Sequence, residues 1–545
     1  MTFRYSPNGL QGRERVLQRI GELLPGATSW AILLGMMGLA WWKPLVAAIL
    51  IITFDLYWLL RLFYMTFFLV LSYVRLSIEQ QTDWMARVAG LDRLEPYLQT
   101  LEQGTAALTV RQRLSAWFHH RQLRVLQRRR LPMPPSEAVY HVIIIPIAKE
   151  SGAVLEPGLE SLIRQPFPTK RMLVVLAVEA RARDDIKAGV SALQERYRVH
   201  FLDLLVVVHP DGLPGEAKVK GANTTWAAQA ATTYFKDRGI PFEHIIASCF
   251  DADTIVSSQY FACLTYCFLT CPDRTQASFQ PIPVYHNNIW NVPGFARVLD
   301  IGSSFFQLIE ATNPDRLVTF SSHSMSFQAL VEVGYWPVDM ISDDSAIFWK
   351  AFIHFDGRYR VIPMQVTVSM DVVSAPSWWK TITSVYTQKR RWAWGVENVP
   401  IVMRAFLKPS RIPYSTRLAH AGKLFEGHIA WASWGFLLTV ISWFIVVMVG
   451  REFSDSVLYY SAPRITTAIF SLASLSLLTT IVLSLCLLPK QWTKQPLLKT
   501  IGHAFEWLLV PGISMFLSAL PALDAQTRLM CGRSMAFWVT EKVRT

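Results

Sequence analysis

Three short motifs contain the side chains with which this chain could carry out chemistry. Paired carboxylates, as in the first motif, are ligands for Mg²⁺ or Mn²⁺, and the acidic pair of the second contains a candidate general base. The third motif offers a guanidinium that suits phosphate oxygens and an aromatic face. The motifs are Asp251-Ala252-Asp253, Ser342-Asp343-Asp344 and Gln388-Lys389-Arg390-Arg391-Trp392. Together they predict an active site in which a cation, a base and an arginine act on a phosphorylated substrate.

The composition indicates a membrane protein. Of the 545 residues, 52% are hydrophobic, and the mean hydropathy is +0.26. The apolar residues form runs at 30–42, 45–74, 429–449, 465–488 and 507–520. A helix needs roughly 20 apolar residues to cross a bilayer core, so the second, third and fourth runs can span it and the other two are marginal. The N-terminus lacks the pattern of a cleavable signal peptide, and we expect the first run to be retained.

The positive charge of the chain is concentrated beside these apolar runs. The net charge is +13, which could suggest nucleic acid, but its placement favours membrane lipids as the partner and no nucleic acid. One basic segment precedes the first apolar run, and another follows the second run. By the positive-inside rule, both segments are cytoplasmic and the first two runs form a hairpin. A solvated basic helix is the alternative for any single arginine. The arginines are Arg4, Arg13, Arg15 and Arg19, then Arg111, Arg113, Arg121, Arg124, Arg128, Arg129 and Arg130.

The block between the apolar runs has the pattern of an α/β domain. Short runs rich in Val, Ile and Leu lie at 140–147, 173–178, 204–208 and 244–250, as in a mostly parallel sheet covered by helices on both faces. Ligands bind at the carboxyl ends of the strands in such sheets. Glu150, Glu179 and Asp251 all follow one of these runs, and we expect them at the same edge of the sheet.

These patterns predict five consecutive segments of the chain. A basic segment with a transmembrane hairpin is followed by a basic helical linker, a cytoplasmic catalytic domain with interfacial helices, a C-terminal transmembrane region and a basic tail. Three late spans would place Arg528 and Arg533, with Lys542 and Arg544, on the outer side against the same rule, so the side of the C-terminus stays open. The segments are 1–75, 76–135, 136–426, 427–522 and 523–545.

The block from about Tyr140 to Trp394 resembles the family 2 membrane glycosyltransferases, the group that contains cellulose and hyaluronan synthases and polyprenyl-phosphate sugar transferases. The spacings from Asp253 to Asp344 and from Asp344 to Gln388 are typical of that family. Further matches are Lys218 and Asn223 in Lys-Val-Lys-Gly-Ala-Asn, and Gly334-Tyr335-Trp336-Pro337 before the second acidic motif.

The resemblance implies a GT-A-like α/β fold between transmembrane helices and an inverting hexosyltransferase that uses a nucleotide-diphosphate sugar. Asp344 matches the catalytic aspartate, with Asp343 beside it. The implied metal ligands for Mg²⁺ or Mn²⁺ are Asp251 and Asp253. The implied donor contacts are Glu150, Glu179, Lys218, Asp251, Asp253 and Arg391, and the implied acceptor contacts are Gln388 and Trp392. A UDP-sugar donor and a bacterial inner-membrane location with a cytoplasmic catalytic domain are further expectations from the family.

Some residues depart from the family pattern. The turn after the first strand reads Pro146-Ile147-Ala148-Lys149-Glu150 in place of Pro-x-x-Asn-Glu, and Glu179 replaces the usual aspartate. Asp343, in the pair with Asp344, stands where the family usually has glutamate. The alternative role for this pair is to cap a helix, and tryptophans at a membrane boundary are also common for interfacial reasons alone.

The acidic pair helps to distinguish acceptors. A polyprenyl phosphate is already an anion, whereas a sugar hydroxyl needs a general base, so we predict a growing polysaccharide or glycolipid as the acceptor. Transfer to a polyprenyl phosphate is the alternative within the family. A membrane transporter with a regulatory loop is less favoured, because the apolar runs contain few paired ionisable residues beyond Asp55, Arg61 and Glu506. A non-catalytic scaffold with a degenerate site is the remaining alternative.

Overall fold

The structure is a computed structural model, and it describes residues 3–103, 109–129, 133–441, 444, 457–489, 497–536 and 538. Arg130, Lys542, Arg544 and most of 442–449 lie outside the described residues. The chain forms two compact units. We call the first the apolar unit (Met1–Leu71, Trp290–Phe305 and Val373–Glu541) and the second the sheet unit (Ser72–Ile289 and Phe306–Val372). The five predicted segments stay a prediction of how the chain is organised.

Helices occur along the whole described chain. In chain order they are α1 (Gly12–Trp42), α2 (Pro44–Glu79), α3 (Trp84–Leu91), α4 (Leu94–Gln103), α5 (Val110–Arg129), α6 (Gly152–Ile163), α7 (Asp184–Tyr197), α8 (Lys220–Asp237), α9 (Tyr260–Thr270), α10 (Gly294–Glu310), α11 (Phe327–Glu332), α12 (Asp343–His354), α13 (Trp378–Ala393), α14 (Asn398–Phe406), α15 (Tyr414–Phe436), α16 (Val457–Leu487), α17 (Leu497–Phe505), α18 (Val510–Gly512) and α19 (Leu520–Met530).

The sheet unit is built on a mixed sheet of eight strands in the described residues. Their order across the sheet is β3-β2-β1-β4-β7-β6-β8-β5. Strands β1 to β4 run parallel, β7 is antiparallel to β4 and β6, and β8 is parallel to β6. The strands are β1 (Tyr140–Ile147), β2 (Met172–Glu179), β3 (Asp203–His209), β4 (Ile245–Cys249), β5 (Ile255–Val256), β6 (Ala277–Val284), β7 (Ser324–Ser326) and β8 (Arg360–Ser369).

The predicted α/β architecture is confirmed, with apolar helices on both sides of the domain in the chain. The four predicted strands coincide with β1 to β4, and their ends differ by no more than one residue. All of β2 is buried, as expected for a parallel strand covered on both faces. Glu179 is the last residue of β2, whereas Glu150 and Asp251 follow β1 and β4. All three therefore lie at the edge of the sheet at which ligands bind.

Five helices among the described residues are long and apolar enough to cross a membrane, and they indicate a membrane protein. The first and last runs, marginal by sequence, belong to helices that continue through more polar residues. Pro511 does not end the last helix, because 3₁₀ and π turns on either side of it absorb the disruption. The five helices are Gly12–Trp42, Pro44–Glu79, Tyr414–Ile441, Arg464–Leu487 and Ile501–Met530.

Two buried histidines predict that the sheet unit becomes less stable in mild acid. His141 in β1 contacts the Thr265 hydroxyl at 2.9 Å, and His119 lies between the hydroxyls of Tyr266 and Tyr97. Burial lowers the pKa of both histidines to about 3. The unfolded chain takes up these protons near pH 6.5, so the unfolding free energy falls as the pH drops from about 6.5 towards 3, by about 1.4 kcal/mol per pH unit for each histidine.

Unfolding midpoints measured at a series of pH values below neutrality test this expectation. His141→Gln should show a shallower dependence on pH than the wild type, whereas His354→Gln, at an exposed position, should keep the wild-type slope. Equal slopes in all three proteins would contradict the assignment.

Candidate active site

The first two acidic motifs meet at one lysine at the edge of the sheet. The Lys220 Nζ atom lies 2.8 Å from Asp251 Oδ1 and 3.1 Å from Asp344 Oδ1. Although burial alone would lower the pKa of Lys220, the two carboxylates raise it well above its ordinary value, so the ammonium stays charged. The structure thus brings together the acidic motifs of two distant parts of the chain through a shared positive charge.

Asp251 is positioned by the loop that precedes β7. The Ser321 hydroxyl donates to Asp251 Oδ2 at 2.6 Å, and the Asp251 backbone N–H donates to the Ser322 hydroxyl at 3.3 Å. Ser322 has a φ of +59°, a conformation that costs a residue with a side chain about 1–3 kcal/mol. Its hydroxyl also lies 2.8 Å from that of Thr254. These contacts hold the strained backbone against the strand that delivers Asp251.

Asp253 is fixed more deeply than Asp251. The Asp371 backbone N–H donates to Asp253 Oδ2 at 2.8 Å, and the Asn287 side-chain amide donates to the Asp253 carbonyl at 2.9 Å. The side chain of Asp251 is 31% exposed, whereas Asp253 as a whole is 2% exposed. One acid can therefore reach a ligand at the surface while the other is held in place beneath it.

This pair fits a cation that the substrate helps to bind. The described residues contain no group of three or more His, Cys, Asp or Glu that could hold a metal ion. Mg²⁺ in phosphoryl sites is commonly held by one or two carboxylates together with substrate phosphates and water. Asp251 and Asp253 follow β4 with one residue between them, and they would supply such a partial ligand set, which a diphosphate would complete.

Asp343 and Asp344 form the first turn of α12, where the helix dipole favours a carboxylate. Asp343 is buried, and the Asp344 side chain is 25% exposed. His323 is buried beside this acid, with its Nδ1 atom 4.0 Å from Asp344 Oδ1 and 3.1 Å from the Phe320 carbonyl. Burial lowers the pKa of His323, so it faces Asp344 as a neutral group. Asp344 is the more accessible acid of the two, and both lie in the first turn of the helix.

Two of the residues predicted to bind the sugar donor lie in a second group at the same edge of the sheet. Glu179 and Lys218 line one cleft, together with Arg181 and His209, at the ends of β2 and β3. Glu179 pairs with Arg181, and Lys218 pairs with Asp211 at 3.1 Å. Lys218 therefore lines this cleft, and Lys220 is the lysine in contact with Asp251 and Asp344.

Glu150 mainly supports its own turn. Its Oε2 atom accepts hydrogen bonds from the backbone N–H groups of Ala148 and Lys149, at 2.8 and 2.9 Å. This arrangement closes the turn that follows β1. The residue is half-buried, at the edge of the sheet that also carries Asp251.

Sequence reasoning missed Lys220, Ser321, Ser322 and His323. One signal could have identified Lys220. It stands three residues before Asn223, so both lie on one face of α8, and the Asn223 amide donates to the Ala177 carbonyl at the end of β2 at 2.8 Å. Lys218 precedes the helix and does not share that face. The serines and His323 belong to a loop without a recognisable sequence pattern.

Gly221→Ala is expected to disturb the acidic centre. A Cβ at Gly221 would lie 2.3 Å from the Pro337 carbonyl oxygen and 3.2 Å from Asp343 Cβ. The overlap should cost about 3 kcal/mol of stability. It should also lower turnover on the order of 100-fold, because a shift of about 1 Å in a catalytic group has that effect.

Gly189→Ala in α7 is the matched control, since a Cβ there meets no atom within 4 Å. It should stabilise the protein by about 0.5–1 kcal/mol. Unfolding midpoints and initial rates for both variants provide the measurement. Equal behaviour of the two alanine variants would contradict the tight packing of α8.

The third motif lies on α13 in the apolar unit. Two residues of the motif, Lys389 and Arg390, hold this helix in place. Lys389 Nζ lies 2.7 Å from Asp300 Oδ1 and 3.6 Å from the centre of the Trp392 ring. Arg390 pairs with Asp524 at 2.9 Å. Sequence reasoning gave no role to either Lys389 or Arg390, and the structure shows that they dock α13 on α10 and α19.

The three predicted residues of this motif occupy different environments. Gln388 is buried, and Arg391 and Trp392 are half-buried. They belong to the apolar unit, whereas the carboxylates belong to the sheet unit. Convergence of Gln388, Arg391 and Trp392 with the acidic centre therefore stays a prediction.

Comparisons with known proteins bear on the identity of the chain. It is similar to a mannosyltransferase from Pyrobaculum calidifontis in complex with GDP-Man and Mn²⁺, at 15% identity over 77% of this chain and 98% of that one, with a TM-score of 0.39. It is also similar to S. aureus TarS in complex with UDP, at 11% identity over 62% of this chain and 90% of that one, with a TM-score of 0.33. No curated protein matches the chain.

The family comparison is more informative than these distant structural likenesses. The model described as glycosyl transferase family group 2 matches residues 247–488. That region contains all three sequence motifs, together with the loop that positions Asp251. The match supports a family 2 glycosyltransferase.

Proposed function

We propose that the protein is an inverting hexosyltransferase that moves a sugar from a nucleotide-diphosphate sugar to a hydroxyl acceptor at the membrane. The observation that carries the proposal is the meeting of Asp251 and Asp344 on the Lys220 ammonium. In the proposal, Asp251 helps to hold the cation and Asp344 is the base, and their contacts with one lysine at the ligand-binding edge of an α/β sheet support this pairing. The acceptor in this proposal is a growing polysaccharide or a glycolipid.

In the proposed reaction, Asp344 accepts the proton of the acceptor hydroxyl as that hydroxyl attacks the anomeric carbon. The attack comes from the face opposite the leaving diphosphate, and the configuration is therefore inverted. Asp343, buried next to Asp344, restricts the position of the α12 N-terminus. Before substrate binds, the Lys220 ammonium offsets the negative charge of Asp251 and Asp344.

The donor is proposed to extend between the two groups of residues at the sheet edge. Its base, uracil in our proposal, occupies the cleft lined by Glu179 and Lys218, and Glu150 supports the neighbouring turn. Asp251 and Asp253 would hold Mg²⁺ or Mn²⁺ with the diphosphate. When bound, this cation stabilises the negative charge that develops on the leaving group. Arg391 is proposed to pair with the same diphosphate through its planar guanidinium.

Gln388 and Trp392 are proposed to bind the acceptor. Sugar rings present apolar C–H faces that stack on an indole, and the cation–π contact with Lys389 orients the Trp392 ring. We place the enzyme in the bacterial inner membrane with its sheet unit in the cytoplasm, where nucleotide sugars are available. Transfer to a polyprenyl phosphate is the second candidate, and the retained acidic pair favours the hydroxyl acceptor over it.

Binding of nucleotides is the first test of this proposal. UDP with Mg²⁺ or Mn²⁺ should raise the unfolding midpoint more than UDP alone or the metal alone, and saturation at 100 times Kd corresponds to about 2.7 kcal/mol. Asp251→Asn should remove the metal-dependent part of the shift. Asp185→Asn, at an exposed acid on α7, should leave the shift unchanged. A shift that does not depend on the metal would contradict the assigned ligands.

Product analysis decides the acceptor. Purified protein incubated with labelled nucleotide sugars should yield a glycan or glycolipid that can be sized. A single sugar attached to a lipid phosphate would instead establish the second candidate. If no nucleotide sugar is consumed although the protein is folded, a transporter or scaffold role becomes the better account.

A further inference from the structure

We propose that one face of α5 is a membrane-binding surface that rests on the headgroup region of an anionic bilayer. We call it the α5 face and define it by two sets of exposed side chains. The apolar set contains Val110, Leu114, Trp117, Phe118 and Val125. The basic set contains Arg111, Arg113, Arg121, Arg124, Arg128 and Arg129.

The spacing of the apolar set forms a stripe along the helix. Successive members are 4, 3, 1 and 7 residues apart, which places all five on one side of α5, with Arg121 in the gap between Phe118 and Val125. Val110 is 71% exposed and Trp117 is 54% exposed, which is unusual for large apolar side chains of a soluble domain. The α5 face is therefore a candidate contact surface, and its partner must accommodate indole and aliphatic groups.

The opposite side of α5 is already occupied. The His119 imidazole lies 2.8 Å from the Tyr266 hydroxyl on α9, and Leu123 and Leu126 are fully or almost fully buried. These contacts dock α5 on the sheet unit and fix which side of the helix points away from it. The exposure of the α5 face is thus a consequence of firm docking on its other side.

The end of α2 indicates where α5 lies relative to a bilayer. Residues 62–74 of α2 contain no charged side chain, and Arg75 follows them, so Arg75 marks the level at which α2 leaves the hydrocarbon. The Arg75 guanidinium lies 5.9 Å from the centre of the Phe118 ring. Phe118 on the α5 face is therefore next to the point where an apolar, membrane-length helix emerges.

A buried polar cluster keeps α5 at that point. Glu79, the last residue of α2, accepts hydrogen bonds from the Ser115 hydroxyl at 3.0 Å and from Arg87 Nη1 at 3.2 Å. Arg87 Nη2 also donates to the Ser115 hydroxyl at 2.5 Å. Both charged side chains are largely buried, so buried polar contacts join α2, α3 and α5.

The charge of the α5 face selects the kind of bilayer. The helix contains six arginines in its described range and no aspartate or glutamate, and one of the six, Arg124, pairs with Glu102 of α4. Arginines beside Trp and Phe are typical of helices that lie in the membrane interface, and the Arg121 guanidinium lies 5.8 Å from the centre of the Trp117 ring. Anionic lipid headgroups complement this charge, and the aromatic rings suit the boundary between headgroups and acyl chains.

A fluorescence quenching experiment on the full-length protein in nanodiscs tests the proposal. An environment-sensitive dye is attached at Leu114→Cys or, separately, at Val110→Cys, in a background in which the exposed Cys486 and Cys531 are replaced by serine. Lipids with a nitroxide near the headgroup act as quenchers. Both sites should be strongly quenched in nanodiscs of phosphatidylcholine mixed with phosphatidylglycerol. A dye at Val199→Cys, an equally exposed apolar position distant in the chain, should not be.

Charge variants separate electrostatic attraction from apolar insertion. Arg121→Gln and Arg128→Gln should each lower the membrane-bound fraction of α5 in anionic nanodiscs, by about fivefold in the partition constant. Arg164→Gln, at the exposed residue that directly follows α6, should have no effect. In pure phosphatidylcholine, the quenching should be weaker and insensitive to these arginines.

Three results would overturn the proposal. Dyes on α5 that are quenched by aqueous iodide and not by nitroxide lipids would show a solvated face. Protection from both quenchers would show that protein covers the face, and dependence on protein concentration would identify a second copy of the chain as the cover. Unfolding midpoints of the labelled variants, compared with the cysteine-depleted background, confirm that each reading comes from folded protein.

Discussion

Asp344→Asn is expected to lower the turnover number by a factor of about 10² to 10⁴, the usual contribution of a general base. The substitution keeps the size of the side chain and removes its ability to accept a proton. The Lys220 ammonium retains Asp251 as a partner at 2.8 Å, so the fold should persist. Initial rates with a labelled nucleotide sugar provide the measurement.

Donor binding distinguishes loss of chemistry from loss of the site. The nucleotide-induced rise in unfolding midpoint should be the same in Asp344→Asn as in the wild type, because Asp344 is proposed to act on the acceptor. Asp184→Asn is the matched control, since this acid also stands in the first turn of a helix but is fully exposed. Unchanged turnover in Asp344→Asn would remove Asp344 from its assigned role.

Asp300→Ala is expected to destabilise the apolar unit by about 3–5 kcal/mol, the cost of leaving one member of a buried ion pair without the other. The Asp300 and Lys389 side chains are 4% and 3% exposed, and they meet at 2.7 Å. In the variant, the ammonium keeps the Ser303 hydroxyl at 3.1 Å as a neutral neighbour. Chemical unfolding of the detergent-purified protein measures the effect.

Two further variants show whether the loss comes from the unpaired charge. Asp300→Leu combined with Lys389→Met replaces the pair by apolar groups and should recover most of the stability. Asp185→Ala removes one member of a pair whose side chains are 64% and 76% exposed, and its effect should stay within about 1 kcal/mol. A loss in the double variant as large as that in Asp300→Ala would show that packing around Asp300, and not its charge, is responsible.

The parallel half of the sheet could be predicted from sequence, and the mixed half could not. Strands β1 to β4 are predominantly apolar runs, the pattern of buried parallel strands, and the one proline among them, Pro146, lies near the end of β1. In contrast, β6 contains Pro281 and Pro283, residues that usually argue against a strand. The neighbouring β7 consists of Ser324, Met325 and Ser326, and β5 has two residues. Their pairing depends on tertiary partners that no local pattern reveals.

The acidic residues of the candidate site could be predicted from the sequence, whereas most of the residues that contact them could not. Residue type and position after a strand were sufficient to single out Asp251, and the acidic pair singled out Asp344. The choice of Lys220 over Lys218 depends on where α8 begins, and helix boundaries are the least certain feature of a sequence prediction. The left-handed backbone of Ser322 has no sequence signature, because the positions that adopt it are usually glycine.

The docking of α13 has a consequence for any glycan that reaches Trp392. Lys389 anchors this helix to α10, and Arg390 anchors it to α19 through Asp524, which belongs to an apolar stretch of membrane length. These two contacts fix the position of the Trp392 indole relative to that stretch. In the function that we propose, an acceptor sugar stacked on this indole is therefore held at the same position relative to the apolar stretch, whatever its size.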